Sequence, residues 1–235
     1  MRGTKLFVYG CSFSENFNDY KHIPKLDKGW PDHLAELFNY ELVNRAEAGK
    51  GIHEINLRID KDIFENNIQP DDLMIISPSY FQRTVLPEIE YDKPGSNIQR
   101  DFKSITNDNG QIALIAKYGI DENIIYDQNR IMFYSKLRLL NKAGYRAYGW
   151  IWDNIFNREI HEEHLIPTPD GYYNWDKWQR EDKNINWRIG KIPPGSQYDN
   201  GTVVEEEIDD THFSAEGHRL LANYFRDTIN IEECL

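Results

Sequence analysis

The sequence predicts an α/β fold: a parallel sheet with helices on both faces. Short apolar runs at residues 4–9, 42–43, 73–76 and 145–152 alternate with segments whose apolar residues recur at helical spacing. Glycine- and serine-bearing turns follow the first three runs, at the strand ends where such sheets bind ligands. The chain has 235 residues, 40% of them hydrophobic, which suits one large α/β domain over residues 1–235 with its own core.

The elements follow in order. Leu6, Phe7, Val8 and Tyr9 form a buried strand that ends at Gly10. Leu34, Leu37 and Phe38 mark a helix from Pro31, a residue suited to a first helical turn. Leu42 and Val43 make a short second strand. The loop Asn44-Arg45-Ala46-Glu47-Ala48-Gly49-Lys50-Gly51 follows, with glycines that permit close backbone approach. Ile52, Ile55, Ile59 and Ile63 mark a second helix. Leu73 to Ile76 is a third strand, ending at Ser77-Pro78-Ser79. A long helix runs from Ile124 to Leu140 and closes at Asn141-Lys142-Ala143-Gly144. Tyr145 to Trp152 is a fourth strand, and Ser214 caps a last helix that runs to Phe225. Residues 84–123 and 154–208 interrupt the rhythm and are read as ordered insertions above the carboxyl edge of the sheet.

Composition removes several classes of partner. With 27 basic and 39 acidic residues the net charge is −12, which argues against nucleic acid and anionic membranes, since both need a positive face. No apolar run approaches the ~20 residues of a membrane helix, and the first residues lack a signal-peptide core, so a cytoplasmic chain is expected. Cys11 and Cys234 fit neither a disulfide framework nor a metal spacing. The expectation is free thiols, no metal and no organic cofactor.

The chemistry sits at the two ends of the chain. Ser12 follows the first strand, and Asp209 precedes His212 by three residues. A serine hydroxyl needs a base to become a nucleophile, and histidine titrates near neutrality. A carboxylate on the other ring nitrogen fixes the tautomer. An Asp-x-x-His spacing within one turn brings the two side chains to one side. The N–H groups of Ser12 and Gly49 are candidate oxyanion donors. Plainer readings stand beside these. Ser12-x-x-Glu15 is also a capping-box pattern, and Asp209-Asp210-Thr211 also reads as a polar turn.

Three segments carry a family resemblance. Gly10-Cys11-Ser12-Phe13-Ser14 resembles the first block of the SGNH, or GDSL-like, hydrolases, with Cys11 where the usual form has Asp. The variant resembles bacterial and phage-encoded members. Asn44 to Gly49 resembles the second block, and Asp209 to His218 is similar to the last. The resemblance implies a flavodoxin-like three-layer α/β/α sandwich and a serine esterase, often one acting on acetyl esters of carbohydrates. It implies Ser12 as nucleophile, His212 as base, Asp209 as its orienting carboxylate, and Gly49 as an oxyanion donor. The third block expects an Asn after the third strand. Ser79 stands nearest that position, with Gln82 and Arg83 as further candidates for substrate or oxyanion contact. A non-catalytic glycan- or protein-binding domain on the same fold is the rival reading.

Remaining motifs are weaker. Cys11 reads as packing rather than a nucleophile. His161-Glu162-Glu163-His164 lacks the i,i+4 spacing of metalloprotease helices and a third ligand, so it reads as a solvated charged segment. His218 reads as packing or capping. Among Tyr172, Tyr173, Trp175, Trp178 and Trp187, most are expected to pack in a core or lid, with Trp175 and Trp178 as candidate platforms for sugar rings.

Overall fold

The computed structural model describes residues 2–15, 28–78, 84–89, 100–105, 122–151, 164–166, 188–192, 194–195, 203 and 207–229. Four strands form a parallel sheet: β1 (Lys5–Gly10), β2 (Glu41–Asn44), β3 (Leu73–Ser77) and β6 (Arg146–Gly149). Their order is β2-β1-β3-β6, the start of the flavodoxin-like order of doubly wound sheets. Gly149 adds a parallel bridge to Leu165 at the open edge. β4 (Thr84–Ile89) and β5 (Arg100–Ile105) pair antiparallel, and so do β7 (Arg188–Ile192) and β8 (Ile208–Phe213). Both insertions therefore contain strand, and the second supplies the partner of the strand that carries Asp209 and His212.

Two cores make the fold three-layered. Leu6, Val8, Leu73 and Ile75 face α1 (Trp30–Phe38) and α4 (Ala215–Thr228), which contribute Trp30, Leu34, Leu221 and Phe225. Phe7, Tyr9, Met74 and Ile76 face α2 (Ile52–Phe64) and α3 (Glu122–Lys142), with Ile55, Ile59, Phe133 and Leu137. Strict alternation along β1 and β3 sends one residue to each core, so both strands are apolar throughout, as central parallel strands require. Every β1 side chain from Leu6 to Tyr9 is buried. Each such side chain contributes about 1.5–3 kcal/mol on burial.

The ends are set locally. α1 begins with Pro31 in its first turn and stops at Asn39, which takes a left-handed conformation (φ 54°). Ser214 caps α4, its Oγ accepting the Gly217 N–H at 3.1 Å. The fourth sheet strand stops at Gly149 rather than Trp152. Past Gly149, Trp150 still donates its N–H to the Ile76 carbonyl at 3.0 Å, but its indole turns into the core between α1 and α4. Gly149 itself has no room for a side chain: a Cβ there would lie 2.6 Å from the Phe133 ring. Among the described residues no helix is long and apolar enough to cross a membrane.

Candidate active site

The first strand delivers its serine to the carboxyl edge of the sheet. Gly10 pairs with Ser77 across β1 and β3, and a Cβ on Gly10 would lie 2.7 Å from Ser14 Oγ and 2.9 Å from the Ser77 carbonyl oxygen. Only glycine lets the chain turn back this closely. The Cys11 carbonyl then accepts the N–H groups of Ser14 (2.9 Å) and Glu15 (3.2 Å), closing a turn around Ser12. Ser12 retains 9% of its surface exposed. Cys11 is buried in the core, the packing role its sequence position suggests. Phe13 is held from behind, its carbonyl accepting the Trp30 indole N–H at 3.0 Å.

The second loop lies against this turn. Its first N–H groups continue the sheet: Arg45 donates to the Val8 carbonyl (2.8 Å) and Glu47 to the Gly10 carbonyl (3.1 Å). Asn44 Nδ2 donates to the Ser14 carbonyl at 2.9 Å, and its Oδ1 accepts the Ala46 N–H at 3.0 Å. Ala48 donates its N–H to Glu15 Oε2 at 2.6 Å. Glu15 therefore reaches across to the second loop instead of closing a capping box with Ser12. Gly49 follows at φ +78°, a conformation that favours glycine.

Beneath the loop sits a partly buried ionic network that the sequence did not announce. Asp62 of α2 accepts two hydrogen bonds from Arg45 (3.1 and 3.0 Å), one from Tyr9 Oη (2.8 Å) and one from Asn67 (3.0 Å). Burial opposes ionisation of Asp62, but those donors and the Arg45 charge together hold its carboxyl below the usual carboxylate range. Burial, and then the Asp62 carboxylate, push the Tyr9 phenol well above its ordinary value. Arg58 adds a hydrogen bond to the Arg45 carbonyl at 2.8 Å and an ion pair with Glu47. The loop is thus anchored from the helix side as well.

The last block differs from its sequence reading in local structure. Residues 208–213 form β8, not a turn. Ile208, Thr211 and Phe213 favour extended backbone, and β7 supplies the hydrogen-bonding partner. In a regular strand, positions three apart lie on opposite faces. β8 is not regular. Asp210 lies opposite Gly190 and Phe213 opposite Arg188, so three steps along β8 match two along β7. One extra residue in β8 between these pairs resets the alternation. By register, positions 209 and 212 then stand on the same side of β8, where a regular strand would place them on opposite sides.

Phe213 brings the two ends of the chain together. It is 1% exposed, and its ring meets Phe13 at 5.8 Å, Trp150 at 6.1 Å and His218 at 5.5 Å between centroids. Phe13 and Phe213, two hundred apart in sequence, are in contact, and they directly follow Ser12 and His212 in the chain. His218 is buried, with Nδ1 accepting the Trp30 N–H at 3.0 Å, which is the packing role expected of it.

Several expected residues lie outside the described residues: Ser79, Gln82, Arg83, Tyr172, Tyr173, Trp175, Trp178, Trp187, Cys234 and His161 to Glu163. For Asp209 and His212 the backbone position alone is described. Ser77 and Ser14 are fully buried, so neither can touch a substrate in place of Ser79. Of the candidate metal segment only His164 is described. Its carbonyl accepts the Gly149 N–H at 2.9 Å and its ring lies against Tyr148. Among the described residues no group of His, Cys, Asp and Glu could hold a metal ion.

No protein-family profile and no curated protein sequence matches the chain. Among solved structures it is similar to an acetylxylan esterase from Geobacillus stearothermophilus, crystallised as a catalytic mutant. The identity is 12%, the match covers 98% of this chain and 97% of that one, and the TM-score is 0.49. It is also similar to a second acetyl xylan esterase, at 12% identity over 96% of this chain and all of that one, with a TM-score of 0.47. A third structure is a lipolytic protein of the G-D-S-L family from Desulfitobacterium hafniense, at 12% identity, 96% and 99% coverage and a TM-score of 0.44.

Proposed function

We propose that this chain is a serine ester hydrolase of the SGNH type. Ser12 Oγ attacks the carbonyl carbon of an ester while His212 takes the hydroxyl proton. Asp209 holds the imidazole in the required tautomer and stabilises the imidazolium. The N–H groups of Ser12 and Gly49 receive the oxyanion, with Ser79 as a third donor. His212 returns the proton to the leaving alkoxide, and the acyl group stays on Ser12. Water, deprotonated by His212, then attacks the acyl carbonyl; the Oγ–acyl bond breaks, His212 returns the proton to Ser12 Oγ and the acid leaves.

The observation that carries this reading is the Phe13–Phe213 contact at 5.8 Å. It supports bringing the serine turn and the histidine strand to the same corner, beside the loop that carries Gly49. The bulge in β8 supports the Asp209–His212 pairing through backbone register. The substrate class is a small acyl ester, with acetyl groups on a carbohydrate as the specific proposal. It is motivated by the motif resemblance and by the aromatic residues at 172–187. Gln82, Arg83, Trp175 and Trp178 are the proposed substrate contacts.

The test is release of acetate from acetylated oligosaccharides and of p-nitrophenol from p-nitrophenyl acetate, with Ser12→Ala as control. The proposal expects turnover that falls to background in Ser12→Ala. Equal rates in both proteins would overturn it, and binding of glycan without turnover would favour the rival binding role.

A further inference from the structure

The turn around Ser12 and the loop carrying Gly49 come from different strands, yet their N–H groups must converge on one oxygen atom. In an oxyanion hole the donors have to sit ~2.7–3.1 Å from a single point, and misplacement by ~1 Å costs on the order of 10²-fold in rate. Something must hold the two segments in register. Backbone hydrogen bonds do this as far as Glu47, whose N–H donates to the Gly10 carbonyl at 3.1 Å. Asn44 adds a side-chain link from the base of the loop to the Ser14 carbonyl at 2.9 Å. Beyond Glu47 the Glu15 carboxylate adds a link to the first turn, accepting the Ala48 N–H at 2.6 Å, one residue before Gly49.

Glu15 sits in the same turn that brackets Ser12, its own N–H donating to the Cys11 carbonyl at 3.2 Å. A charged acceptor on a backbone N–H makes a hydrogen bond roughly twice as strong as a neutral one. Fixing the Ala48 N–H holds the planar Glu47–Ala48 peptide, leaving only the two Ala48 dihedrals between that anchor and the Gly49 N–H. The Ser12-x-x-Glu15 spacing, which in sequence mimics a capping box, thus bridges two loops.

We propose that Glu15 is a positioning residue: its carboxylate sets the separation of the Ser12 and Gly49 N–H groups, and so the fit of the oxyanion site. This rests on the esterase reading above. The full-length protein and its Glu15→Ala and Glu15→Gln variants would be compared in two measurements. The first is the second-order rate of Ser12 labelling by a fluorophosphonate, with kcat and KM on p-nitrophenyl acetate. The second is amide hydrogen exchange of the peptide spanning Ala48 and Gly49, read by mass spectrometry.

Glu15→Ala is expected to lower labelling rate and kcat about 10- to 100-fold with KM within about threefold, and to speed exchange at Ala48. Glu15→Gln, which keeps an acceptor oxygen, is expected to recover most of the rate. A purely structural role would lower thermal stability without this split between kcat and KM and without rescue by Gln. Labelling of Glu15→Ala at the wild-type rate, or unchanged exchange at Ala48, would overturn the proposal. A wild-type protein that never labels would overturn the esterase reading, and with it the catalytic consequence given to Glu15. Faster Ala48 exchange in Glu15→Ala would then stand for the link alone.

Discussion

Phe213 should be the most costly single side chain to remove among those that join the two ends of the site. It is 1% exposed, and among the described residues its ring meets those of Phe13, Trp150 and His218 at centroid distances of 5.8, 6.1 and 5.5 Å. A buried Phe removes about 150–250 Å² from water, and truncation to Ala in a packed core costs about 3–5 kcal/mol once the cavity is included. Phe213→Leu keeps most of the volume and loses the ring contacts. With aromatic pairs worth about 0.5–1.5 kcal/mol each, partly replaced by the leucine, it should cost about 1–2 kcal/mol. For a domain of about 10 kcal/mol stability, even Phe213→Ala raises the unfolded fraction by roughly a thousandfold and still leaves the protein folded. Stability would be read from urea denaturation followed by tryptophan fluorescence, and site geometry from the fluorophosphonate labelling rate. Both variants should label more slowly while over 99% folded, on this ~10 kcal/mol scale. A Phe213→Ala cost under about 1 kcal/mol would refute the packing argument. Wild-type labelling in the alanine variant would refute the claim that this contact aligns the site.

Three further outcomes follow from the same geometry. Gly149→Ala places a methyl 2.6 Å from the Phe133 ring and 2.9 Å from Leu165 Cδ2, and should cost about 1–3 kcal/mol, whereas Gly3→Ala, which meets nothing within 4 Å, should stay within about 0.5 kcal/mol in the same denaturation assay. Asp62→Asn should cost about 2–3 kcal/mol near neutral pH, since it weakens the hydrogen bonds from the charged Arg45. The Asp62 carboxyl titrates lower in the fold than in the unfolded chain, so its contribution is present above about pH 4 and is lost as pH falls through the folded value. The stability gap between wild type and Asp62→Asn, taken from denaturation midpoints, should therefore narrow from pH 7 to pH 3; a gap that widens on acidification would contradict the network.

The sheet was legible because its signal is local. Continuous apolar strands such as Leu6 to Tyr9, and the Ile52–Ile63 helical spacing, leave little choice of partner. The cap at Ser214 was equally plain, because a single side chain decides it. The last block was harder. Its residues matched in identity, but Asp209 to His212 is a bulged strand and not a turn. The strand exists because β7, within an insertion, pairs with it, and no local pattern encodes a partner some twenty residues away. Glu15 was misleading for the same reason. Its spacing to Ser12 satisfies a helix cap, while its actual acceptor role depends on a loop 33 residues further along. The Arg45–Asp62–Tyr9 network joins β1, the second loop and α2, and only the fold brings those three together. Phe13 and Phe213 lie within the first and last motif blocks, but nothing in the sequence pairs the two rings, which only the fold brings together.

The central claim is that Ser12 is an activated nucleophile, and covalent capture tests it most directly. The folded protein would be incubated with a serine-directed fluorophosphonate and the adduct located by peptide mass mapping. The account predicts one phosphonyl group on Ser12, blocked by prior acylation and reduced at least a hundredfold in His212→Ala. An adduct on another residue, or a folded protein that stays unlabelled at Ser12, would contradict it.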